Sequence, residues 1–173
     1  MVGVSFKFND YIVSSVEEYG LEELNTWIKV NNNKDNICYS LDNQMFYRRF
    51  LEYYVTESEY FLKVYRDGEI VGVFKGRLEL EGKKELFIWL FVIKKELRNE
   101  GMGSEIIENI IEYFIGNYTV DTIKVGVIQD NLEGISFWNS NGFIVERVSK
   151  DFFQDEKGRA RNLVIMQRNC KCE

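Results

Sequence analysis

Residues 90–104 read LFVIKKELRNEGMGS, an apolar run followed by a short polar segment with two glycines. The apolar run extends back to Glu85 and ends at Ile93, and it predicts a β-strand buried on both faces. From residue 101 to residue 115, apolar residues recur with the period of a helix and glutamates lie opposite. The sequence therefore predicts a buried strand, a glycine-containing loop and an amphipathic helix in direct succession.

The loop of this unit has the properties of an anion-binding site. The first backbone N–H groups of a helix have no partner within the helix, and they carry partial positive charge. Gly101 and Gly103 would let a ligand approach the backbone closely. Together these features predict a place for a pyrophosphate group, although a tight strand-to-helix turn would produce the same Gly-x-Gly pattern.

Further strands and helices are predicted on both sides of this unit. Helices are predicted over 16–30, 45–55 and 132–141, with a polar loop over 31–36 and with Gly116 ending the helix that begins at residue 101. Strands are predicted over 60–65, 70–80, 122–128, 143–148 and 162–167, with turns at 66–69, 82–84 and around 155–158. With one strand before the first helix, the order is βααβββαβαββ. This order predicts one α/β domain over residues 1–173 with a mixed sheet.

Composition excludes several classes of function. The chain of 173 residues has a net charge of −6, three Cys and no His. An acidic chain is a poor partner for nucleic acid, and the isolated Cys38 and the tail cysteines Cys170 and Cys172 form no zinc pattern. We therefore expect no nucleic acid partner and no metal. Because we find no membrane-spanning apolar run and no secretory signal, we expect a cytoplasmic protein, as a monomer or a homodimer.

Two segments resemble the GNAT family of N-acetyltransferases. Residues 98–103, RNEGMG, fit the family's Arg/Gln-x-x-Gly-x-Gly/Ala loop, and residues 131–143, NLEGISFWNSNGF, are similar to its Asn-x-x-Ala-x-x-Phe-Tyr-x-x-x-Gly-Phe segment. The close resemblance covers about residues 85–145. It implies a mixed, mostly antiparallel sheet whose parallel central pair splays apart, flanked by helices. It also implies that acetyl-CoA is the co-substrate.

The resemblance implies which residues contact the cofactor. Pyrophosphate would lie on the amides of the loop, formed here by Asn99, Glu100, Gly101, Met102, Gly103 and Ser104. Pantetheine would pair like an added strand with the main chain of Phe91, Val92 and Ile93, where one amide would also polarise the thioester carbonyl. Asn131 would contact the pantetheine arm, and Phe137 and Trp138 would line the thiol end. Arg98, at the start of the loop, is also a candidate cofactor-binding residue. Lys94, Lys95 and Arg98 could offset the charge of Glu100, whose side chain we expect to point to solvent.

Two positions depart from the family pattern. Gly134 replaces a usual Ala in the short helix, which weakens that helix slightly. Trp138 stands where the family often has a Tyr that protonates the departing thiolate. An indole N–H is no practical acid, so we interpret Trp138 as a ring that closes the cleft wall. Water, Tyr113 or another Tyr would then protonate the thiolate.

The chain has no His, so a carboxylate is the expected base for deprotonating an amine. Strand alternation places Glu85, Phe87, Trp89, Phe91 and Ile93 on one face. The resemblance implies a strand-borne base at the position where Phe87 stands. Glu85 is the carboxylate nearest to that position on the same face and is our candidate base, although a solvated strand end would also explain it. Glu79 and Glu81 are weaker candidates, and we do not expect Cys38 to act as a covalent carrier.

Two functions follow from the sequence. The first is an N-acetyltransferase that transfers acetyl from acetyl-CoA to a primary amine, of a small molecule or a protein N-terminus, by direct attack in a ternary complex. The second is a catalytically silent acyl-CoA-binding or sensor module of the same fold. The acceptor would be defined by the two N-terminal helices and the last loop, whose aromatic residues also fit core positions: Trp27, Tyr39, Tyr47, Tyr53, Tyr54, Phe152 and Phe153.

Overall fold

In a computed structural model, the described residues are 3–32, 43–154 and 158–170. The strands are β1 (Ser5–Phe8), β2 (Tyr11–Ser15), β3 (Glu59–Arg66), β4 (Glu69–Glu79), β5 (Glu85–Ile93), β6 (Thr122–Ile128), β7 (Ile144–Gln154) and β8 (Ala160–Asn169). The helices are α1 (Leu21–Asn31), α2 (Asn43–Val55), α3 (Met102–Tyr118) and α4 (Leu132–Ser140). Of the polar loop predicted over 31–36, Asn31 instead ends α1, and residues 33–36 lie outside the described residues. The tip of the last hairpin, Cys38, Tyr39, Cys172 and the side chain of Phe153 also lie outside them.

The strands form one eight-stranded sheet in the order β1-β2-β3-β4-β5-β6-β8-β7. Neighbouring strands run antiparallel except for the central pair, β5 and β6, which is parallel. The helix α3 connects β5 to β6, as a parallel pair requires a long crossover. The predicted mixed, mostly antiparallel sheet with a parallel central pair and flanking helices is confirmed.

The parallel pair separates part-way along its length. The Cα partners of β5 and β6 run from Glu85–Thr122 to Ile88–Val125, and both strands continue beyond that point without further pairing to each other. On the other side of β5, Ile88 pairs with Gly76 and Leu90 pairs with Lys75. Trp89 is therefore one extra residue in β5, a β-bulge, which bends the strand away from β6.

The bulge corrects the predicted faces of β5. Leu86 and Ile88 pack in the core under α3, but beyond the bulge Leu90 and Val92 pack in a second core under α1 and α2. Phe91 and Ile93 therefore lie on the face opposite to that of Glu85 and Phe87. The strand is also not buried on both faces, since Trp89 is 43% exposed and Glu85, Phe87 and Phe91 are partly exposed.

The apolar stripe of α3 provides the centre of the larger core. Its predicted residues are all buried against the sheet: Met102, Ile106, Ile107, Ile110, Ile111 and Phe114. The prediction that Gly116 ends this helix is wrong, because α3 continues to Tyr118 and ends at Thr119, whose φ is 56°. Tyr118 packs on Phe114 and Tyr60, with 5.9 Å between ring centroids in each pair, and this packing favours the additional residues of helix.

The N-terminal segment differs most from the prediction. Two strands, β1 and β2, form a hairpin where the sequence predicted one strand, and α1 begins at Leu21 rather than at residue 16. Val16 is buried, and its N–H donates to the carbonyl of Phe61, so it continues the pairing of β2 with β3 instead of starting a helix. Gly20, with φ of 82°, precedes the first turn of α1.

Candidate functional site

The loop before α3 has an anion-binding backbone conformation. Asn99 and Gly101 have positive φ angles of 64° and 82°, and Gly101 is the N-cap of α3. The first backbone hydrogen bond of this end of the helix runs from the N–H of Glu105 to the carbonyl of Gly101, at 3.1 Å. The amides from Met102 to Ser104 thus precede the helical hydrogen bonds and point out of the helix end, where positive potential is greatest.

Glycines keep the space in front of these amides open. A Cβ on Gly101 would have no atom within 4 Å, so this position faces empty space. A Cβ on Gly103 would lie 3.2 Å from the ring of Phe137 and 3.6 Å from Ile93. The loop therefore fits a pyrophosphate group, because a side chain at either position would enter the space or push against the wall beside it.

Arg98 holds the loop in place. Its guanidinium donates to the carbonyl of Ile93 at 3.0 Å and 3.1 Å, and it also donates to the carbonyl of Asn31 at the end of α1. Burial lowers the pKa of Arg98, while Glu133 and Glu96 raise it in part. This side chain lines the cleft, and its hydrogen bonds to main-chain carbonyls connect the loop to the end of β5 and to α1.

The splay between β5 and β6 opens a cleft of about 740 Å³. One wall is the main chain of β5 from Trp89 to Ile93, and the other is Gly126 and Val127 of β6 together with the start of α4. The loop amides close one end, through Asn99, Gly101, Gly103 and Ser104. The cleft volume lies within the usual range for small-molecule and cofactor sites.

An aromatic cluster forms the wall on the α4 side of the cleft. Phe91 packs on Phe137 and Trp138, with centroids 5.9 Å and 6.0 Å apart, and Trp138 contacts Phe143 edge-on at 4.9 Å. Trp138 is 6% exposed and belongs to the main core as well as to the cleft wall. The structure places it where a ring closes the wall, as interpreted from the sequence.

Asn131 begins α4 at the edge of the cleft. Its side-chain oxygen accepts a hydrogen bond from the N–H of Gly134 at 3.0 Å and caps the helix. A Cβ on Gly134 would lie only 2.6 Å from the side-chain nitrogen of Asn131. The glycine at position 134 is therefore what allows Asn131 to fold back over the first turn.

Two of the predicted loop contacts do not line the cleft through their side chains. Glu100 is exposed, as expected, and Met102 is buried in the core beneath α3. Lys94 is bound to Glu69 at 2.6 Å on the protein surface rather than to Glu100.

The candidate acid–base residues lie elsewhere. Glu85 is at the closed end of the splay and forms an ion pair with Lys124 at 2.9 Å, and Lys124 also approaches Glu146 at 3.3 Å. Tyr113 stacks on Phe6 at 4.4 Å on the far side of α3. Glu79 pairs with Arg77. Among the aromatic residues that were candidates for the acceptor site, Tyr47, Tyr53, Tyr54 and Phe152 do not line the cleft.

Several cleft residues were not predicted from the sequence. Trp89 lines the cleft because the bulge exposes it. Gly126 and Val127 line it because β6 is no longer paired with β5 at these residues. The sequence does contain one signal for the bulge, the isolated Gly76 inside β4, where a Cβ would lie 2.9 Å from the ring of Phe74. Five further residues line the cleft and were not predicted: Asn32, Leu132, Glu133, Ser136 and Ser140.

Across 3–32, 43–154 and 158–170, no helix combines the length and the apolar character needed to cross a bilayer. Within the same ranges, no three His, Cys, Asp or Glu side chains group in a way that could hold a metal ion.

Known proteins match both the sequence and the fold. The family model for the acetyltransferase (GNAT) domain matches residues 13–160. Acetyltransferase PseH of Campylobacter jejuni is 28% identical over 116 residues, which cover 67% of this chain and 65% of that protein. The matched region thus spans slightly less than two thirds of the length of this curated relative.

Solved structures with low sequence identity have the same fold. An acetyltransferase from Salmonella typhimurium that modifies the N-terminal serine of ribosomal protein L7/L12 has a TM-score of 0.82 at 11% identity, covering 95% of this chain and 97% of that one. Spermidine N-acetyltransferase from Vibrio cholerae, in complex with CoA and spermine, has a TM-score of 0.76 at 13% identity, covering 92% and 95%. Since the domain model spans most of the chain and the splayed sheet agrees with it, this protein belongs to the GNAT family of acetyltransferases.

Proposed function

We propose that this protein is an N-acetyltransferase that binds acetyl-CoA in the splayed cleft and transfers the acetyl group to a primary amine in a ternary complex. The observation that carries this proposal is the row of backbone amides from Asn99 to Ser104, which closes one end of the cleft between β5 and β6. Successive amides at positive-φ positions and at a helix N-terminus are a common phosphate site.

The binding roles follow from the shape of the cleft. The loop amides would hold the pyrophosphate, with no side-chain cation required at the contact. Beyond Ile88 the main chain of β5 is not paired with β6, so Phe91, Val92 and Ile93 are available to pair with an extended pantetheine arm. Phe137 and Trp138 would border the thiol end. Asn131 caps α4 at the same edge and would contact the arm.

Acetyl-CoA supplies an activated acyl group as a thioester. The chain's contribution is to orient this group and to polarise its carbonyl with an amide of β5. The acceptor must reach the cleft as a neutral amine. Because Glu85 is bound to Lys124 at the closed end, we assign it no proton transfer, and water at the mouth of the cleft is the acceptor for the amine proton.

Two kinds of primary amine fit as the acceptor. Structural neighbours of this chain include an enzyme that modifies a protein N-terminal serine and one that acetylates spermidine. We therefore propose either a small-molecule amine or a protein N-terminus as the acceptor. Both present a primary amine on a flexible or exposed group, as attack in an open cleft requires.

Trp138 favours a second candidate function. The position of the family's thiolate-protonating Tyr holds an indole here, which donates no proton in practice. A catalytically silent acyl-CoA-binding or sensor module would tolerate this change. The N-acetyltransferase is the preferred proposal because coenzyme A thiolate leaves readily without a positioned acid.

Thermal denaturation with coenzyme A tests the cofactor assignment. A ligand at 100 times its dissociation constant adds about 2.7 kcal/mol to folding stability, which raises the melting temperature of a domain this size by about 5–10 °C. Adenosine, which lacks the pyrophosphate and pantetheine, is the control ligand. The absence of a shift at millimolar coenzyme A would reject the assignment.

A further inference from the structure

Trp89 presents an aromatic surface in the interior of a central strand. It is the extra residue of the β5 bulge, and 43% of its surface is exposed. Its ring lies 4.4 Å from that of Phe87, at an interplanar angle of 42°. The two rings form an aromatic pair at the point where β5 and β6 part.

This aromatic pair faces away from α3 and α4. Phe87 alternates with Leu86 and Ile88, which pack under α3, so Phe87 and the Trp89 ring against it lie on the opposite face. Phe91, by contrast, packs on Phe137 of α4. The cleft therefore has two sides, with the loop and α4 wall on one and Trp89 on the other.

Across the cleft from Trp89, β6 contributes a glycine to the lining. Lys124 of β6 bonds to Glu85, which shares the Phe87 face, and alternation along β6 puts Gly126 on that face too. A Cβ on Gly126 would lie 3.2 Å from the side chain of Leu163, which is 1% exposed. Trp89 and Gly126 both line the cleft, and residue 126 has no side chain that would project toward the indole.

We propose that Trp89 determines acceptor specificity, by packing against a ring or a bulky apolar group attached next to the acceptor's primary amine. This inference rests on the proposed function, which places the cofactor on the α4 side and leaves the Trp89 side for the acceptor. Aromatic rings bind flat apolar groups through both burial and ring geometry. The surface is thus suited to a ring-bearing amine more than to an unbranched polyamine.

Two amines that share an aminoethyl group test this inference. Phenethylamine and ethylamine differ only by the ring, so the ratio of their kcat/KM values isolates its contribution. We expect a ratio of at least about tenfold in the wild type, which corresponds to about 1.4 kcal/mol. Trp89→Ala should bring the ratio within about threefold of unity, whereas Trp89→Phe, which keeps a ring, should retain most of it.

Tyr19→Ala is the matched control, because Tyr19 is 93% exposed and does not line the cleft. This variant should leave the ratio unchanged. Calorimetric binding of phenethylamine in the presence of coenzyme A gives a readout that needs no turnover, and Trp89→Ala should weaken it about tenfold. Unchanged phenethylamine binding in Trp89→Ala, or no binding at millimolar concentrations in the wild type, would overturn the inference.

The same experiments separate this inference from the proposed function. Acetyl transfer to both amines at equal kcat/KM would overturn the role of Trp89 and leave the acetyltransferase intact. Trp89-dependent binding of phenethylamine without acetyl transfer to any amine would support the role of Trp89 as a ligand contact and overturn the acetyltransferase.

Discussion

Gly101 has a backbone conformation that residues with a side chain rarely adopt, and it faces open space in the cleft. Both properties concern a single residue, but they have different consequences. The positive φ affects folding stability, because a Cβ in the left-handed region costs about 1–2 kcal/mol. The open space affects binding, because a side chain there would occupy the proposed phosphate position. A control glycine can separate the two effects.

Gly101→Val should abolish coenzyme A binding, and Gly68→Val should not. Gly68, in the turn between β3 and β4, has φ of 80°, close to the 82° of Gly101, and also has no atom within 4 Å of an added Cβ. Both variants should therefore lose about the same stability, roughly 1–2 kcal/mol. Calorimetric titration with coenzyme A checks the prediction. Equal affinity in the two variants would mean that the loop is only a turn.

Trp138 provides a residue-scale test of proton donation. Trp138→Tyr and Trp138→Phe differ only by a hydroxyl, so their relative turnover isolates the effect of a phenol at this position. We expect the Tyr variant to be at most about threefold faster, since a positioned acid gains its typical 100-fold or more only where proton transfer limits the rate. Both should lose about 1–2 kcal/mol of stability from the buried ring.

Steady-state thiol release by the two Trp138 variants is the measurement. A Tyr variant faster by 100-fold would show that thiolate protonation limits turnover. Loss of activity in Trp138→Phe with coenzyme A affinity intact would show that the indole itself has a specific role, and the interpretation as a cleft wall would be wrong.

At the scale of elements, two helical glycines have different surroundings. Gly116 lies inside α3, and an added Cβ there would have no atom within 4 Å, whereas at Gly134 it would meet Asn131 at 2.6 Å. In a helix interior, Gly→Ala typically stabilises by about 0.5–1 kcal/mol. Gly116→Ala should show this gain in the free energy of unfolding.

Gly134→Ala should show little or no gain, because the displaced Asn131 side chain loses the cap hydrogen bond to residue 134, which is worth about 1 kcal/mol. Urea denaturation of Gly116→Ala and Gly134→Ala checks both predictions. A full stabilisation by Gly134→Ala would mean that the Asn131 cap contributes nothing to α4.

The elements also show what sequence patterns can and cannot predict. Strand β6 has the bounds predicted for it, residues 122–128, because its alternation is regular and its end is marked by polar residues. In β5 the strand was predicted correctly, but the faces beyond Trp89 were not, since one extra residue reverses every later side chain. The opposing Gly76 signals a bulge but does not specify which residue of β5 is the extra one.

At the scale of the whole molecule, one ion pair connects α3 to the C-terminal strand. Arg168 of β8 donates to both oxygens of Glu108 at 2.6 Å, and it also donates to the carbonyl of Asn141 after α4. The Arg168 hydrogen bonds hold the pKa of Glu108 below its ordinary value. A carboxylate with a lowered folded-state pKa stabilises the fold above its unfolded pKa, and this contribution disappears as pH falls through the folded pKa.

Glu108→Gln should therefore destabilise the protein at pH 7 but have little effect in acid. The Glu108 side chain is 40% exposed, so water screens the pair and we expect a loss of about 1 kcal/mol at neutral pH. The difference from the wild type should shrink as pH falls below about 4.3, the ordinary glutamate pKa. Glu23→Gln, on the exposed side of α1, is the control. Melting temperatures from pH 7 to acid check this, and a difference that stays constant with pH would contradict it.

The overall architecture was more predictable from the sequence than the N-terminal hairpin and the end of α3. The mixed α/β sheet and the strand–loop–helix unit around residues 85–115 follow from periodicity and glycine placement, which are local properties, whereas the parallel central pair was expected from the family resemblance. The β1–β2 hairpin and the extension of α3 to Tyr118 depend on contacts with distant residues, such as Tyr60. The position of Glu85 beside Lys124 also depends on pairing between strands, so an argument within one strand could not place it.

The central claim is that the cleft transfers an acetyl group and does not merely hold its carrier. The most direct measurement is release of free thiol from acetyl-CoA together with mass-spectrometric detection of the acetylated amine, for phenethylamine, spermidine and a peptide with a free N-terminus. We predict equal amounts of thiol and acetylated product with at least one amine, and neither with Gly101→Val. Saturable binding of coenzyme A without an acetylated product from any of these amines would contradict the claim and favour a silent binding module.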